Sequence, residues 1–410
     1  MTPTRFDVRI RLLSPMLIGG GRSFGTFNET LNYLPGGALR GAVGALLAES
    51  SQHARHRDDV PQANCSFCEI FNAGNEPIFE NLYPSDLGSV THPLPFTAHT
   101  CKRNPGFLVA KPQRRESHGA YDTLIRAYWF EQAMRNRWRV PFVRELHCPV
   151  CSEEMKPYDG FYGEGDLKYH RVQPIQKRIS RTAINRKRQV AEEGLLYTLE
   201  VLDSKVKAGP LFLSGSVWAD AEKAEILKRG LEQITRVGMG KSRGLGHVQV
   251  EILAQTRSHL GSLRERLDQF NQAMRAEAEF YAHVAGAPPL PSDEWFFSVD
   301  LLSDALLTER GVPTLRLCPE MLGLEGANIT LERWWVKGRV AGGWFAAARL
   351  PRRTQLATAM GGAFLYRVRG TPMDAVITQL EAFEQRGIGQ ERARGFGQVV
   401  VCSPFHLEVL

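Results

Sequence analysis

The alternation of apolar and polar residues predicts strands at corresponding places in two halves of the chain. "RFDVRIRLLSP" near the N-terminus and "WFFSVDLLSD" from Trp295 both read as strands that end in Leu-Leu-Ser. "GPLFLSGSVWAD" and "GGAFLYRVRGTP" form a second such pair. Alternation with a period of two is typical of half-buried strands. The repetition of the pattern indicates an internal duplication.

A helix, a glycine-rich loop and a strand follow one another near the end of each half. In the first half Leu227, Leu231 and Ile234 recur at helical spacing, and "HVQVEIL" then alternates like a strand. In the second half "TPMDAVITQLEAFEQR" has a helical pattern and "QVVVCSPF" is strand-like. Each half therefore fits a βαββαβ ferredoxin-like (RRM-like) unit. We predict an α+β protein with two tandem units of this kind.

The segment between the halves predicts the domain boundaries. An apolar stripe at Leu260, Leu263, Leu267, Phe270 and Met274 favours a core-facing helix, and "GAPPLPSD" is typical of a linker. The predicted divisions are a first domain at 1–256, with an insertion at about 51–190, a connecting helix and linker at 257–292, and a second domain at 293–410.

The first glycine-rich loop, "GMGKSRGLG", contains the last three residues of a phosphate-binding P-loop, Gly-Lys-Ser. A P-loop requires a glycine where this chain has Thr235, and it joins a strand to a following helix. Here the predicted order is helix and then strand, which argues against a P-loop. The residues of this loop are Gly238, Gly240, Gly244 and Gly246, with Lys241 and Arg243 between the glycine pairs.

A second loop, "GIGQERARGFG", repeats this arrangement. Its residues are Gly387, Gly389, Gly395 and Gly397, with Arg392 and Arg394 between the glycine pairs. Glycine lets the backbone approach a ligand and expose its N–H groups, and the cations can meet phosphate. We therefore predict RNA contacts at both loops. The alternative is that the glycines only supply the positive φ angles of two tight turns.

The composition narrows the class of protein. The chain has 410 residues, of which 43% are hydrophobic and 23% charged, as in globular proteins. No apolar run reaches the roughly 18 residues of a membrane helix, and the N-terminus lacks a signal-peptide pattern. We expect a cytoplasmic protein with no membrane partner. The formal net charge of +7 suits a polyanionic partner without proving one.

The positive charge is densest between Lys168 and Arg188, a stretch with eight Lys or Arg residues and no acid. Such a segment can order on RNA and bind its phosphates. We predict Arg178, Arg181 and Arg186 as RNA contacts. The alternative is an ordinary solvated surface.

Four of the seven cysteines form two C-x-x-C pairs, Cys65 with Cys68 and Cys148 with Cys151. Four thiolates can hold a tetrahedral Zn²⁺, and such a closed site is structural rather than catalytic. The gap between the pairs is longer than in a compact zinc ribbon, so the pairs must meet in the fold. Reduced thiols or a redox pair are the alternatives. Cys101 and His147 are substitute ligands.

Several segments resemble the RAMP superfamily of CRISPR-associated proteins. "LPGGALRGAVGALL" after a strand, and the helix–glycine-loop–strand arrangement, carry this likeness over most of the chain. "CSFCEIFNAGNEPIFENLYPSD" with "CPVCSEEMKPYDGFYG" looks like one branch, as does "VKGRVAGGWFAAARLPRRTQLATAMGGAFLYRV". That branch is the Csx-ten family, a Cas-five-like subunit of type III-D effector complexes.

The resemblance implies two RRM-like domains that bind the 5′ handle of CRISPR RNA (crRNA) and cap one end of the effector backbone. It implies contacts with the large polymerase-like subunit and the neighbouring backbone subunit, and indirect contact with target RNA. Many members of the family carry serines where this chain has "PGGALRG". Gly36 and Gly37 would preserve the backbone geometry there, and Arg40 would remain as a phosphate contact.

A catalytic role is the competing hypothesis. RNA-cleaving relatives in the superfamily use a general-base histidine in the first half, where this chain has His53 and His56. An imidazole needs a positioned partner, and neither a Ser/His/Asp set nor an H-E-x-x-H motif is evident. We therefore expect a non-catalytic RNA-binding subunit. The alternative is a metal-independent endoribonuclease that processes precursor crRNA.

Overall fold

The computed structural model describes most of the chain and shows a mixed α+β protein. The described residues are 4–20, 23–24, 27–51, 65–71, 75–85, 90–108, 116–140, 146–165, 168–185, 187–206, 209–253, 260–345 and 350–408. Their α-helices are α1 (Gly36–Ser50), α2 (Ser66–Phe71), α3 (Leu124–Arg135), α4 (Ala221–Glu232), α5 (Leu263–Ala285), α6 (Pro319–Leu322) and α7 (Ile377–Arg386). None of these helices is long and apolar enough to cross a membrane.

The first of two large sheets is antiparallel and contains the N-terminal strand Thr4–Leu12 at its centre. Its strands run in the order Val248–Leu253, Thr4–Leu12, Phe212–Ala219, with Ile78–Phe79 and Tyr83–Ser85 both pairing with Phe212–Ala219. The predicted alternation is confirmed, because Val8, Ile10 and Leu12 are buried in a core with side chains of α1 and α4.

The second large sheet has the same arrangement of strands. Its order is Asn328–Trp335, Ala363–Arg369, Glu294–Leu301 and Val399–Val401, again antiparallel. In both sheets the first and third strands of the predicted unit are central, and the second and fourth lie outside them. The helix predicted before each final strand is present as α4 and as α7. The duplicated sequence pattern therefore corresponds to duplicated sheet topology.

Two helices join the second sheet from outside the predicted second domain. α5 packs there through Phe270 and Tyr281, so it belongs to this core rather than serving only as a connection. α3 lies within the predicted insertion in the first domain, yet Tyr128 and Trp129 pack against Phe296 with ring centroids 5.5 and 6.3 Å apart. The inserted segment thus completes the core of the second half. The reason is apolar burial, which sequence distance does not limit.

Smaller sheets contain the remaining strands. One small sheet contains Ala98–Cys101, Ala120–Asp122 and Met155–Pro157, and another contains Thr91–Pro93, Phe161–Gly165 and Lys168–Val172. A third is dominated by the long hairpin Gln176–Asn185 with Val190–Leu202, beside Ser23–Phe24 and Phe27–Asn28. The two-stranded pairs are Lys205–Val206 with Gly209–Pro210, Leu307–Glu309 with Val312–Thr314, Gly338–Ala341 with Gln355–Thr358, and Trp344–Phe345 with Leu350–Pro351.

Candidate functional site

The first glycine loop is a tight turn that presents cations to solvent. Lys241–Arg243 form a single 3₁₀ turn, and all four loop glycines have positive φ angles between 71° and 90°. At Gly246 a Cβ atom would lie 2.0 Å from the carbonyl oxygen of Val237, so only glycine fits. The N–H groups of Arg243 and Gly246 donate to carbonyls within the chain. The glycines therefore shape the turn, while the exposed side chains are left to meet a ligand.

The long hairpin brings part of the predicted basic stretch to this loop. Arg181 Nη2 donates a hydrogen bond to the carbonyl oxygen of Arg243 at 3.1 Å. Arg243 Nη1 donates to Tyr197 Oη at 2.9 Å, and Tyr197 lies opposite Arg181 in the hairpin. Below them Leu245 packs with hairpin side chains in a small apolar cluster. We call Arg181, Tyr197, Lys241 and Arg243 the basic face.

The basic face combines two chemistries that suit a nucleic acid. Its three cations can neutralise phosphates, and the tyrosine ring offers a surface on which a base can stack. Arg178 is not part of it, because side chains alternate along a strand and it pairs instead with Glu200 at 3.8 Å. The predicted contact Arg186 lies outside the described residues. Tyr197 had no signal of its own in the sequence.

The second glycine loop has a different environment. Gly387, Gly389, Gly395 and Gly397 again have positive φ angles, from 67° to 89°. This loop packs against the first half of the chain, because a Cβ atom on Gly395 would lie 2.6 Å from Asn81 Oδ1 and 3.1 Å from the nitrogen of Gly36. Arg394 pairs with Glu391 at 2.9 Å, and Arg392 donates to the carbonyl of Arg386. The structure gives both cations partners inside the chain.

The "PGGALRG" segment lies at the same contact. α1 begins at Gly36, whose N–H donates to Asn81 Oδ1 at 2.9 Å. Gly37 faces Arg394, and Arg40 forms an ion pair with Glu76 at 3.0 Å. These residues were predicted to contact RNA. That role stays a prediction; the structure places these residues where the second glycine loop meets the start of α1.

Four side chains with metal-binding atoms converge in the inserted region. The ligand atoms of Cys101, His118, Cys148 and Cys151 all lie within 4.8 Å of one another. The Sγ atoms of Cys101 and Cys151 are 3.6 Å apart, and Cys148 Sγ is 3.4 Å from His118 Nδ1. Cys101 and Cys148 are buried, whereas Cys151 lies at the surface. We call these four residues the Cys–His cluster; they could hold a metal ion.

Neighbouring groups favour a thiolate in this cluster. The N–H of Asn104 lies 3.4 Å from Cys101 Sγ, and the Asn104 side chain reaches His118 Nε2 at 2.7 Å. Burial alone would raise the pKa of the Cys101 thiol, but the backbone N–H groups of Asn104 and Arg103 and the Cys151 side chain lower that pKa below its usual value. A lowered thiol pKa suits a metal ligand.

The cluster corrects the predicted set of four cysteines. Cys148 and Cys151 are members, and so is the substitute ligand Cys101. Cys65 directly precedes α2 and Cys68 lies within it, and His147 bonds to the carbonyl of Ser152. The physical reason is that α2 packs beside α1 and α4 through its buried Ile70 and Phe71, in the first core. His118 was missed, because nothing in its spacing marked it.

The histidines that bear on the catalytic alternative are His53, His56 and the buried His406. His53 and His56 lie outside the described residues. His406 lies between Asp122 and Asp300, with its ring nitrogens 3.1 and 2.8 Å from their carboxylates. Burial would lower the pKa of His406, but Asp300 and Asp122 raise it to about 10. The His406 side chain is fully buried and cannot meet a substrate.

A comparison with protein families assigns the chain. The family model of the RAMP superfamily matches residues 9–249. The chain belongs to the RAMP superfamily. The matched part of this RAMP protein contains most of the first sheet, the basic face and the Cys–His cluster.

Two solved structures that are similar to this RAMP protein share little sequence identity with it. A chain in "Cryo-EM structure of the Type III-B Cmr-beta bound to cognate target RNA and AMPPnP, state 1" has 9% identity and a TM-score of 0.42, covering 88% of this chain and 86% of that one. A chain in the complex bound to cognate target RNA has 11% identity and a TM-score of 0.41, with the same coverage. No curated protein matches.

Proposed function

We propose that this RAMP protein is a non-catalytic RNA-binding subunit of a type III CRISPR effector complex. Its role would be to bind the 5′ handle of crRNA and to cap the backbone of the complex in antiviral defence. Membership of the superfamily supports a CRISPR role. The observation that carries the RNA-binding role is the convergence of Arg181 and Arg243 with Tyr197. Cations beside an aromatic ring suit single-stranded RNA.

The finer assignment is also part of the proposal. The sequence likeness favours the Csx-ten branch of type III-D complexes, acting in the cytoplasm. Its partners would be the large polymerase-like subunit and a neighbouring backbone subunit, with target RNA contacted indirectly. The equal strand orders of the two large sheets support two tandem ferredoxin-like units. The cofactor would be a structural Zn²⁺ in the Cys–His cluster, whose thiol and imidazole groups are ligands that zinc prefers.

The test is binding of labelled crRNA across a series of salt concentrations, read on native and denaturing gels. Arg181→Ala and Arg243→Ala should each weaken binding and reduce the slope of log affinity against log salt by about 0.7, the value for one phosphate contact on a single strand. Arg135→Ala is a matched control, because Arg135 is an exposed arginine on α3, which packs in the second core. Equal effects of all three substitutions would contradict the assignment of the basic face.

The same denaturing gel decides between binding and catalysis. Intact RNA that shifts on the native gel supports the non-catalytic subunit. Shortened RNA would support the precursor-processing endoribonuclease instead. In that case His53→Ala or His56→Ala should abolish the cleavage, because metal-independent cleavage needs a general base.

A further inference from the structure

The sheet beneath the Cys–His cluster is too small to be stable without reinforcement. Its strands Ala98–Cys101, Ala120–Asp122 and Met155–Pro157 have only four, three and three residues. The buried apolar cluster at this end consists of Cys101, Cys148 and Met155. Ala98 and Ala120 of the same strands pack elsewhere, in a separate apolar cluster with Phe107 and Phe405. The end of the sheet that carries the ligands therefore has little apolar burial of its own, and small units of this kind often depend on metals or disulfides.

Two pairs of ligand atoms have separations close to those of a tetrahedral zinc site. Zn–S bonds of about 2.3 Å and Zn–N bonds of about 2.05 Å at tetrahedral angles separate two sulfurs by about 3.8 Å, and a sulfur from a nitrogen by about 3.6 Å. The corresponding distances here are 3.6 Å for Cys101 and Cys151, and 3.4 Å for Cys148 and His118. Within these two pairs, bound zinc would therefore need movements of only a few tenths of an ångström, and all other separations in the cluster are at most 4.8 Å.

A second layer of groups orients these ligands. With His118 Nδ1 directed at the cluster, Nε2 carries the proton and lies 2.7 Å from the side-chain amide of Asn104. The amide atom placed there is Nδ2; with the amide turned by 180°, Oδ1 would accept the hydrogen bond from Nε2–H, since the two amide atoms are assigned from the hydrogen-bond network. The backbone N–H of Asn104 lies 3.4 Å from Cys101 Sγ. Such partners are typical of zinc sites, where they fix the histidine tautomer.

The small sheet is directly connected to the second core. Asp122, the last residue of the edge strand Ala120–Asp122, accepts a hydrogen bond from the N–H of Leu124 at the start of α3. Its carboxylate also faces His406 at 3.1 Å, and its own N–H donates to the carbonyl of Glu408 at 2.7 Å. The position of this strand therefore determines where α3 begins and how the C-terminal residues dock.

We propose that Cys101, His118, Cys148 and Cys151 bind one Zn²⁺ in a closed tetrahedral site, and that this ion holds the inserted sheet in register so that α3 and the C-terminal residues dock on the second core. The proposal rests on the structural zinc proposed above and names its ligands and its role. It does not depend on RNA binding. Four protein ligands leave no open position, so the ion is structural rather than catalytic.

The first test measures the metal content of the purified full-length chain. We expect about one zinc ion per chain in the wild type and almost none in Cys148→Ser/Cys151→Ser. Cys65→Ser/Cys68→Ser is the matched control and should retain the metal, because that pair lies at the start of α2 and outside the Cys–His cluster. If Cys148→Ser/Cys151→Ser retained zinc, or if the control lost it, the proposed ligand set would be wrong, but the chain would still be a zinc protein. A metal-free wild type would overturn both, and neither outcome bears on RNA binding.

The second test remains informative where the variant does not fold. Hydrogen exchange of the wild type is compared before and after zinc is removed with a chelator. Exchange should rise at least about tenfold in Ala98–Cys101, Ala120–Asp122 and the start of α3, and remain unchanged in Thr4–Leu12. The structural role of zinc would be overturned if exchange in the small sheet stayed unchanged, or if it rose equally in the small sheet and in Thr4–Leu12 of the first large sheet. Restoration of protection by added Zn²⁺ alone would support it.

Discussion

Replacement of His406 by Gln tests the charge arrangement between the inserted sheet and the second core. His406 and Asp122 have fully buried side chains, and Asp300 is 7% exposed. Glutamine keeps hydrogen-bonding capacity but removes the positive charge, leaving two buried carboxylates without a counter-ion. Breaking a buried charge arrangement in this way costs about 3–5 kcal/mol of unfolding free energy. That is a large share of the roughly 5–15 kcal/mol that stabilises ordinary proteins.

The pH dependence of the unfolding free energy gives a second, independent test of the positive charge on His406. The pKa of His406 is raised from 6.5 to about 10 in the folded protein. A raised pKa contributes stability that is complete below the unfolded pKa and is lost as pH rises through the folded pKa. The stability difference between wild type and His406→Gln should therefore shrink between neutral pH and about pH 10, and should be largest near or below pH 6.5.

Urea unfolding of both proteins at several pH values provides the measurement. His283→Gln on the exposed face of α5 is a matched control and should change stability little. The triple variant Asp122→Asn/Asp300→Asn/His406→Gln should be more stable than His406→Gln alone, since it removes the uncompensated charges. A cost below about 1 kcal/mol for His406→Gln, or a difference that grows with pH, would refute the reasoning.

Three further results are expected. Asn104→Ala should lower zinc affinity about 10–100-fold in competition with a chromophoric chelator, because it removes the partner of a ligand. Gly246→Ala should lower the unfolding free energy by at least about 1 kcal/mol in thermal denaturation, and by more than Gly244→Ala, whose surroundings are open. Tyr197→Ala should weaken RNA binding by about 1–3 kcal/mol without changing the salt slope, whereas Lys241→Ala should reduce that slope by about 0.7, both read by fluorescence anisotropy.

Local patterns predicted the local structure well. The alternation in "RFDVRIRLL" and the helical spacing of Leu227 and Leu231 correspond to the strand Thr4–Leu12 and to α4. The duplicated order of elements could also be read from the chain, because each half repeats its own short-range signals. These features depend on residues that are close in sequence, where periodicity reports directly on which side chains are buried.

Contacts between distant segments could not be predicted in the same way. The pair Cys148 and Cys151 was evident from its spacing, but its partners Cys101 and His118 are brought to it only by the register of the small sheet. Likewise, Arg181 and Arg243 were selected on separate grounds, and their contact depends on how the long hairpin packs on the loop. Periodicity carries no information about such pairings.

The packing of α3 on the second core has a consequence for synthesis of the chain. Tyr128 and Trp129 leave the ribosome about 130 residues before the first residue of α5, Leu263, which they need for burial. At about 5–20 residues per second, this interval lasts roughly 6 to 26 s. During that time an apolar helix face has no native partner within the emerged chain. We therefore expect the chain to be more prone to aggregation during translation than after folding is complete.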